Sequence, residues 1–263
     1  MDGREGEVSG TFPEGHGSAR SPAPAGDART GRTHNRHVPR VLLIEDDKAV
    51  RDSLEFALRR LGHHVDSAGT GEEGLARLRA APPDIVVLDL MLPGIDGFEV
   101  CRRVRAGSSV PVVVLTARVD DFDVVSGLEA GADDYVVKPV EPRVLSARLS
   151  AVLRRIDREP YAGTATTHGD LVIDRSSLTV TKHGEPVNLT PTELRLLLEL
   201  SRSPGQVLTR EQLLQSVWEH DYLADTRLVY ACVQRLRLKV EDDPASPVYI
   251  QTVRGFGYRF GPV

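Results

Sequence analysis

The sequence predicts an α/β domain built on a five-stranded parallel sheet with helices on both faces, followed by a smaller domain of three helices closed by a hairpin. Three observations carry that expectation. Five short aliphatic runs alternate with amphipathic stretches between residues 40 and 156, the pattern of repeated strand–crossover–strand units. Charged residues stand at the ends of three of those runs, where open parallel sheets place their ligands. From about residue 169 the pattern changes to short alternating strands, then helices with apolar stripes, then two strands joined by a glycine turn.

The aliphatic runs are VLLIED (41–46), HHVDSA (63–68), DIVVLDL (84–90), VPVVVLTA (110–117) and DYVVKP (134–139). Between the first two lies AVRDSLEFALRRLG, whose residues Val50, Leu54, Ala57, Leu58 and Leu61 share a helical face. The stretch GTGEEG (69–74) has the G-x-G-x-x-G spacing of dinucleotide-binding loops, with Asp89 about twenty residues on. That reading fails on position and on charge. Such a loop belongs at the end of the first strand, where Glu45, Asp46 and Asp47 stand instead. Glu72 and Glu73 at the helix N-terminus would repel a pyrophosphate. Thr70 as N-cap with Glu73 three residues later makes a capping box, and carboxylates suit the helix dipole there. The motif starts a helix.

In the second domain, GDLVIDRSSLTVTKHGEPVNL alternates like a small antiparallel sheet with a His-Gly turn. TPTELRLLLELSRSPG follows: Thr190 caps, Pro191 takes the first helical position, Glu193 completes the box and Gly205 lies past the end. TREQLLQSVW repeats that logic with Thr209 and Gln212. A third helix, about 225 to 241, turns Val229, Val233, Leu236 and Val240 to the core. Arg227, Ala231, Gln234 and Arg235 lie on another face, with Arg237 and Lys239 at its flanks. YIQTVRGFGYRF closes the chain as strand, turn and strand bearing Arg254 and Arg259.

Composition sets the limits. The chain has 263 residues, 40% apolar and 27% charged, which suits two soluble globular domains. A net charge of −5 shows no domain-wide basic excess, so any DNA contact comes from a local patch. No apolar run is long enough to span a membrane, and no leader-like segment opens the chain. Cys101 and Cys232, far apart, make no zinc site and are expected to pack as small hydrophobes, which fits a cytoplasmic setting. Residues 1–38 are rich in Gly, Ser, Pro, Arg and Thr and are expected to be disordered. Chains that this one resembles begin a few residues before their first strand, and a valine codon can serve as a bacterial start, so we expect translation to begin at Val38, three residues before Val41. The expected divisions are 39–156 for the first domain, 157–168 for a linker and 169–263 for the second.

The strand ends carry the chemistry: Glu45 and Asp46 on the first, Asp89 on the third, Lys138 on the fifth. Three carboxylates converging at one end of a buried sheet repel each other unless a cation joins them. Hard oxygens in that number suit Mg²⁺. With Lys138, such a cation neutralises a phosphoryl group arriving on a carboxylate, and Asp89 is the expected nucleophile because it ends the central, most aliphatic strand.

LLIEDD, VVLDLMLPGIDG, VVLTA and GADDYVVKP, in this order, resemble the receiver domain of two-component response regulators over roughly residues 40–156. The resemblance implies that Asp89 accepts phosphate from a sensor histidine kinase. It implies that Glu45, Asp46, Asp89 and the Met91 carbonyl arrange Mg²⁺, that Thr116 bonds a phosphoryl oxygen and that Lys138 pairs with it. Tyr135 becomes the aromatic switch that turns inward when Thr116 moves, and Lys138–Pro139 a cis peptide. The family usually has Phe where this chain has Val140. Close relatives often pair an Arg and a Glu across a dimer interface at positions that here are Val124 and Val144. Asp134 and Arg148 remain as the expected interface pair.

TPTELRLLLEL, LLQSVW, QRLRLKVEDDP and TVRGFGYRF resemble the winged-helix effector domain of the OmpR/PhoB class, from about 169 to 262. The resemblance implies Arg235 and Ala231 facing bases beside Gln234, Arg227, Arg237 and Lys239 on phosphates, and Arg254 near the minor groove. Tyr230 and Cys232 replace a commoner Asp and His. The expected protein is a phosphorylation-switched transcriptional regulator, not an enzyme. Its expected partners are a sensor histidine kinase, promoter direct repeats in double-stranded DNA, RNA polymerase and a second copy of itself. Two alternatives are weaker. A haloacid-dehalogenase-type phosphatase wants a second Asp two residues after its nucleophile, where Met91 stands. A regulator whose receiver is never phosphorylated has no use for the complete acid, Thr and Lys set.

Overall fold

The computed structural model describes residues 38–117, 121–157, 165–218 and 225–261, and the expected N-terminal tail and most of the expected linker lie outside them. The first domain runs β1 (Arg40–Ile44), α1 (Lys48–Arg60), β2 (His64–Ala68), α2 (Gly71–Ala80), β3 (Ile85–Asp89), α3 (Gly97–Gly107), β4 (Val112–Thr116), α4 (Asp121–Glu129), β5 (Asp134–Val137) and α5 (Pro142–Asp157). Its strands form one parallel sheet in the order β2-β1-β3-β4-β5. The order reverses between β1 and β3, so their carboxyl ends open a crevice. Every residue of β3 and β4 is buried, which is why both read as unbroken aliphatic runs. Val41, Leu43, Val87 and Leu115 face Leu54 and Leu58 of α1 and Leu145 and Leu149 of α5. The alternate residues Leu42, Ile44, Leu88 and Val114 pack with α2, α3 and α4 on the other face.

GTGEEG does start a helix. The Thr70 hydroxyl accepts the Glu73 amide (3.2 Å), while the Glu73 carboxylate accepts the Gly69 amide (2.9 Å), one residue earlier than a reciprocal box requires. Its glycines serve packing: a Cβ at Gly74 would collide with Ile44, and one at Gly71 would meet Val100.

The second domain opens with an antiparallel sheet of β6 (Thr166–His168), β7 (Leu171–Asp174), β8 (Thr179–Lys182) and β9 (Glu185–Pro186). β6 takes up residues expected in the linker, because Thr166–His168 finds pairing partners along β7. His183 and Gly184 both have positive φ (52° and 83°), as a two-residue hairpin turn requires. Next come α6 (Pro191–Leu200), β10 (Val207–Thr209), α7 (Arg210–Leu213), α8 (Arg227–Val240), β11 (Ile250–Val253) and β12 (Gly257–Phe260). Both expected capping boxes are present, Thr190 with Glu193 and Thr209 with Gln212. α7 runs on into a π-helical turn, Leu214–Trp218, which the sequence pattern did not announce. The core stripe of α8 is fully buried at Val229, Val233, Leu236 and Val240. No helix among the described residues is long and apolar enough to cross a membrane.

The two domains also pack on each other, with α4 on α8 and α5 on α6, a contact the sequence pattern did not suggest. A single apolar cluster joins Val124, Leu128 and Ala132 of the first domain to Leu228, Ala231 and Cys232 of the second.

Candidate functional site

β1 delivers Glu45 and Asp46 to the crevice, and β3 ends in Asp89 beside them. One carboxylate oxygen from each lies within 4.8 Å of the other two. Glu45 and Asp89 are buried and Asp46 is exposed. The Lys138 ammonium donates to Glu45 (2.8 Å) and to Asp89 (2.7 Å). It is brought there by its own amide, which donates to the Thr116 carbonyl (2.7 Å), and it precedes a cis Lys138–Pro139 peptide.

Burial raises the Glu45 carboxyl above its ordinary value; Lys138 opposes the rise and the Asp89 charge adds to it. Burial alone would lower the Lys138 ammonium, but its bonds to Asp89 and Glu45 outweigh that and raise it. Three carboxylates against one ammonium leave the pocket short of positive charge. A hard divalent cation on oxygen ligands fits that donor set.

Thr116 ends β4, buried, in register with Val137 and so beside Lys138. Met91 ties its amide to the Asp89 carboxylate (3.2 Å) while its side chain points to solvent. Tyr135 is half-buried and turned toward the second domain, where its hydroxyl donates to the Asp225 carboxylate. Burial and then Asp225 push the Tyr135 phenol up to about 12. Asp225 in turn receives the Arg227 guanidinium (2.7 and 2.9 Å) and the Arg227 amide (3.0 Å), so the first residue of α8 is linked to β5 through one carboxylate.

The face of α8 expected to meet bases is covered. Ala231 is 1% exposed and Arg235 is 8% exposed. Arg235 donates to the Leu128 carbonyl at the end of α4 and to Glu193 of α6 (3.3 Å). Two of the three residues expected on phosphates are engaged within the domain instead. Arg237 donates to the Ile250 carbonyl (2.9 and 2.6 Å) and the Thr252 hydroxyl (2.8 Å), bracing the hairpin. Lys239 donates to Glu193 (2.6 Å) and the Asn188 carbonyl (2.9 Å). Carbonyls and a buried carboxylate lie within reach of both side chains, and they take these donors. Gln234 and Arg227 are half-buried, Arg254 is exposed on the turn between β11 and β12, and the exposed large residues of α8 are Tyr230 and Leu238.

The four residues expected at a dimer interface are engaged within the chain. Val124 is buried and Val144 half-buried. Asp134 and Arg148 pair with each other (2.9 Å), and the Arg148 guanidinium also lies 5.9 Å from the Tyr135 ring centre.

Sequence reasoning missed a residue that bonds to both domains. Asp133 is 1% exposed and receives four donors. Its carboxylate accepts Arg105 (2.6 Å), the Val112 amide (2.9 Å) and the Thr190 hydroxyl (3.0 Å), and its carbonyl accepts the Trp218 indole (3.1 Å). Thr190 is the N-cap of α6, so a carboxylate of the first domain extends that cap. Alongside, Arg155 donates to the Thr192 hydroxyl (2.9 Å) and lies 5.5 Å from the Trp218 ring. The available signal was the paired aspartate of GADDY in apolar surroundings, where only one of the two had an assigned role.

Comparisons with known proteins identify the families of both domains. Residues 41–150 match the family described as the response regulator receiver domain, and residues 184–260 match the one described as transcriptional regulatory protein, C terminal. The chain is 65% identical to the transcriptional regulatory protein AfsQ1 of Streptomyces coelicolor over 86% of its own length and 99% of that protein's. It is 49% identical to the DNA-binding response regulator MtrA of Mycobacterium tuberculosis, over 85% of this chain and 97% of the other. Among solved structures, a cysteine-to-serine mutant of RitR superposes with a TM-score of 0.68 at 30% identity, covering 85% of this chain and 99% of that one.

Proposed function

We propose a mechanism from one premise: the chain belongs to the two-component response regulators, in which a receiver domain is joined to a winged-helix DNA-binding domain of the OmpR/PhoB class. Asp89 attacks the phosphorus of a sensor kinase's phosphohistidine and becomes an acyl phosphate, while the imidazole leaves. Glu45, Asp46 and Asp89, with the Met91 carbonyl, would hold Mg²⁺, which would supply the positive charge that phosphoryl transfer needs. Lys138 exchanges its bond to the Asp89 carboxylate for one to the new phosphoryl group, and the Thr116 hydroxyl bonds another phosphoryl oxygen. A groove of about 500 Å³ lined by Val50, Leu54, Lys138, Pro139 and Val140 lies beside the acids.

The observation that carries the switch is the link from Tyr135 through Asp225 to Arg227. Thr116 moving to the phosphoryl group vacates space that Tyr135 turns into, and its hydroxyl leaves Asp225. α8 then separates from α4. Arg235 and Ala231 become free to read base edges, with Gln234 beside them, and Arg227 and the exposed Arg254 contact the sugar–phosphate backbone. Val124, Asp134, Val144 and Arg148, uncovered by the same movement, pair two copies on promoter direct repeats, where RNA polymerase is recruited or blocked in the cytoplasm. The chemistry is confined to the chain's own carboxylate, so the protein turns over no separate substrate.

Intact mass tests the first step. With Mg²⁺ and acetyl phosphate the protein gains about 80 Da, one phosphoryl group. Asp89→Asn gains nothing, and chelating the metal abolishes the gain. Equal gains in the wild type and Asp89→Asn overturn the assignment.

A further inference from the structure

We infer that Arg51 is a positioning residue for the acid cluster: its guanidinium sets the peptide planes that aim Glu45 and Asp46. This rests on the reading of that cluster as the Mg²⁺ site. One nitrogen of Arg51 donates to the Glu45 carbonyl (2.6 Å) and to the Asp46 carbonyl (3.0 Å). These are consecutive residues, and their carboxylates are two of the three in the cluster.

Other supports of the β1–α1 junction act on the Glu45 carboxylate, which accepts the Asp47 amide, and at the junction's ends. On the strand side the Glu45 amide donates to the Ala68 carbonyl (3.1 Å). On the helix side the Asp47 carboxylate accepts the Ala49 and Val50 amides (2.8 and 3.1 Å). Arg51 holds the middle. It stands in the first turn of α1, its amide bonded to the Asp47 carbonyl (2.8 Å), so the helix itself carries the clamp. Across from it the β2–α2 turn presents Gly69, where an added Cβ would lie 3.4 Å from the guanidinium. The side chain is therefore seated between two loops that border the acids.

Positioning and simple charge make opposite predictions. A cation near three carboxylates repels an incoming divalent ion, so as a bare charge Arg51 weakens Mg²⁺ binding and its removal tightens it. As a clamp it strengthens binding, and its removal weakens it. Loss of a group that orients metal ligands typically costs about tenfold or more in metal affinity.

The test is calorimetric titration of the full chain with Mg²⁺ alone, without phosphodonor, on the wild type, Arg51→Ala, Arg51→Lys and Arg51→Gln. Arg51→Ala weakens Mg²⁺ affinity about tenfold, Arg51→Lys restores most of it, and Arg51→Gln, a donor without charge, falls between. In a second measurement, the Mg²⁺ concentration giving half the maximal rate of phosphorylation by acetyl phosphate rises in parallel, while the rate at saturating Mg²⁺ stays close to that of the wild type. Unchanged or tighter binding by Arg51→Ala overturns the inference. If that variant does not fold, unchanged or tighter binding by Arg51→Gln overturns it equally. A wild type that binds no Mg²⁺ overturns the reading of the cluster itself, which separates the two failures.

Discussion

Tyr135→Phe isolates the contact on which the proposed switch depends. The ring stays, along with its half-buried packing and its place below the Arg148 guanidinium; what goes is the hydroxyl donated to Asp225. Asp225 keeps the Arg227 guanidinium and amide, so its carboxylate is not stranded. A hydrogen bond to a charged acceptor contributes roughly 1.5–3 kcal/mol when buried. At a half-exposed tyrosine about 1–2 kcal/mol is the fair figure, a factor of about 5–30 in the balance between covered and uncovered α8. Apparent DNA affinity scales with the fraction of chains whose α8 is uncovered. The unphosphorylated variant therefore binds operator DNA about 5–30-fold tighter than the unphosphorylated wild type. Fluorescence anisotropy with labelled operator measures it. The chain supplies a second probe, because its single tryptophan is Trp218, whose buried indole donates to the Asp133 carbonyl across the interface. Uncovering α8 shifts the Trp218 emission to longer wavelength. Wild-type affinity together with unshifted emission would refute the idea that Tyr135 holds α8 in place.

Three further outcomes rest on DNA and interface contacts, and a fourth on the apolar seam. In the phosphorylated protein, Arg235→Ala lowers the ratio of specific to non-specific DNA affinity by roughly 1–3 kcal/mol; equal loss on every sequence moves base reading to Gln234 or Arg254. Arg237→Ala, whose guanidinium braces the hairpin, lowers the thermal unfolding midpoint instead, and a variant melting like the wild type would return Arg237 to the phosphates. Burial raises the Asp133 carboxyl, but Arg105 and then Arg235 and the Val112 amide outweigh it and hold it below the ordinary value. Its contribution to stability is thus complete above the ordinary carboxylate pKa of about 3.9 and is lost as pH falls through the lower folded value. Trp218 emission should stay in its covered form down to that range, whereas loss near pH 6 would point to a histidine. Val124→Arg places a charge at a fully buried site facing α8 and should raise the DNA affinity of the unphosphorylated protein; unaltered affinity means α4 does not hold the helix.

Much of this was readable residue by residue. Aliphatic runs without alternation announced a sheet covered on both faces, and β3 and β4 are buried throughout. Thr190 with Glu193 and Thr209 with Gln212 announced two helix starts through local hydrogen bonding alone. The acids and Lys138 met because strand ends in a parallel sheet share one edge. Apart from the π-helical turn at Leu214–Trp218, what failed to show was a contact between segments apart in sequence. Periodicity says that Arg235 leaves the core of its own domain, yet it cannot say that the Leu128 carbonyl, 107 positions away, will accept its hydrogen bond. Arg237 and Lys239 were expected on phosphates because the acceptors that hold them, Ile250, Thr252, Asn188 and Glu193, are set by tertiary packing.

The departures from the family pattern nevertheless contained the missing information, once the two sides of the contact are set together. On α4, Val124 stands where close relatives often carry an arginine; on α8, Cys232 stands where the commoner residue is a histidine. Each change looked like the loss of a polar partner, one from a dimer interface and one from a DNA backbone. In the folded chain both are buried in the same apolar cluster with Leu128, Leu228 and Ala231. An arginine or a histidinium in either place would bring a charge into that cluster at a cost of several kcal/mol unless paired. Burial likewise holds the Cys232 thiol near 12, neutral throughout the physiological range. α8 itself carried the hint: Leu228, Ala231 and Cys232 add a second apolar strip beside Val229, Val233, Leu236 and Val240. A helix apolar on two sides has two partners to pack against. One is its own domain. The other is the face of the receiver that includes Tyr135, the face on which the proposed switch would act.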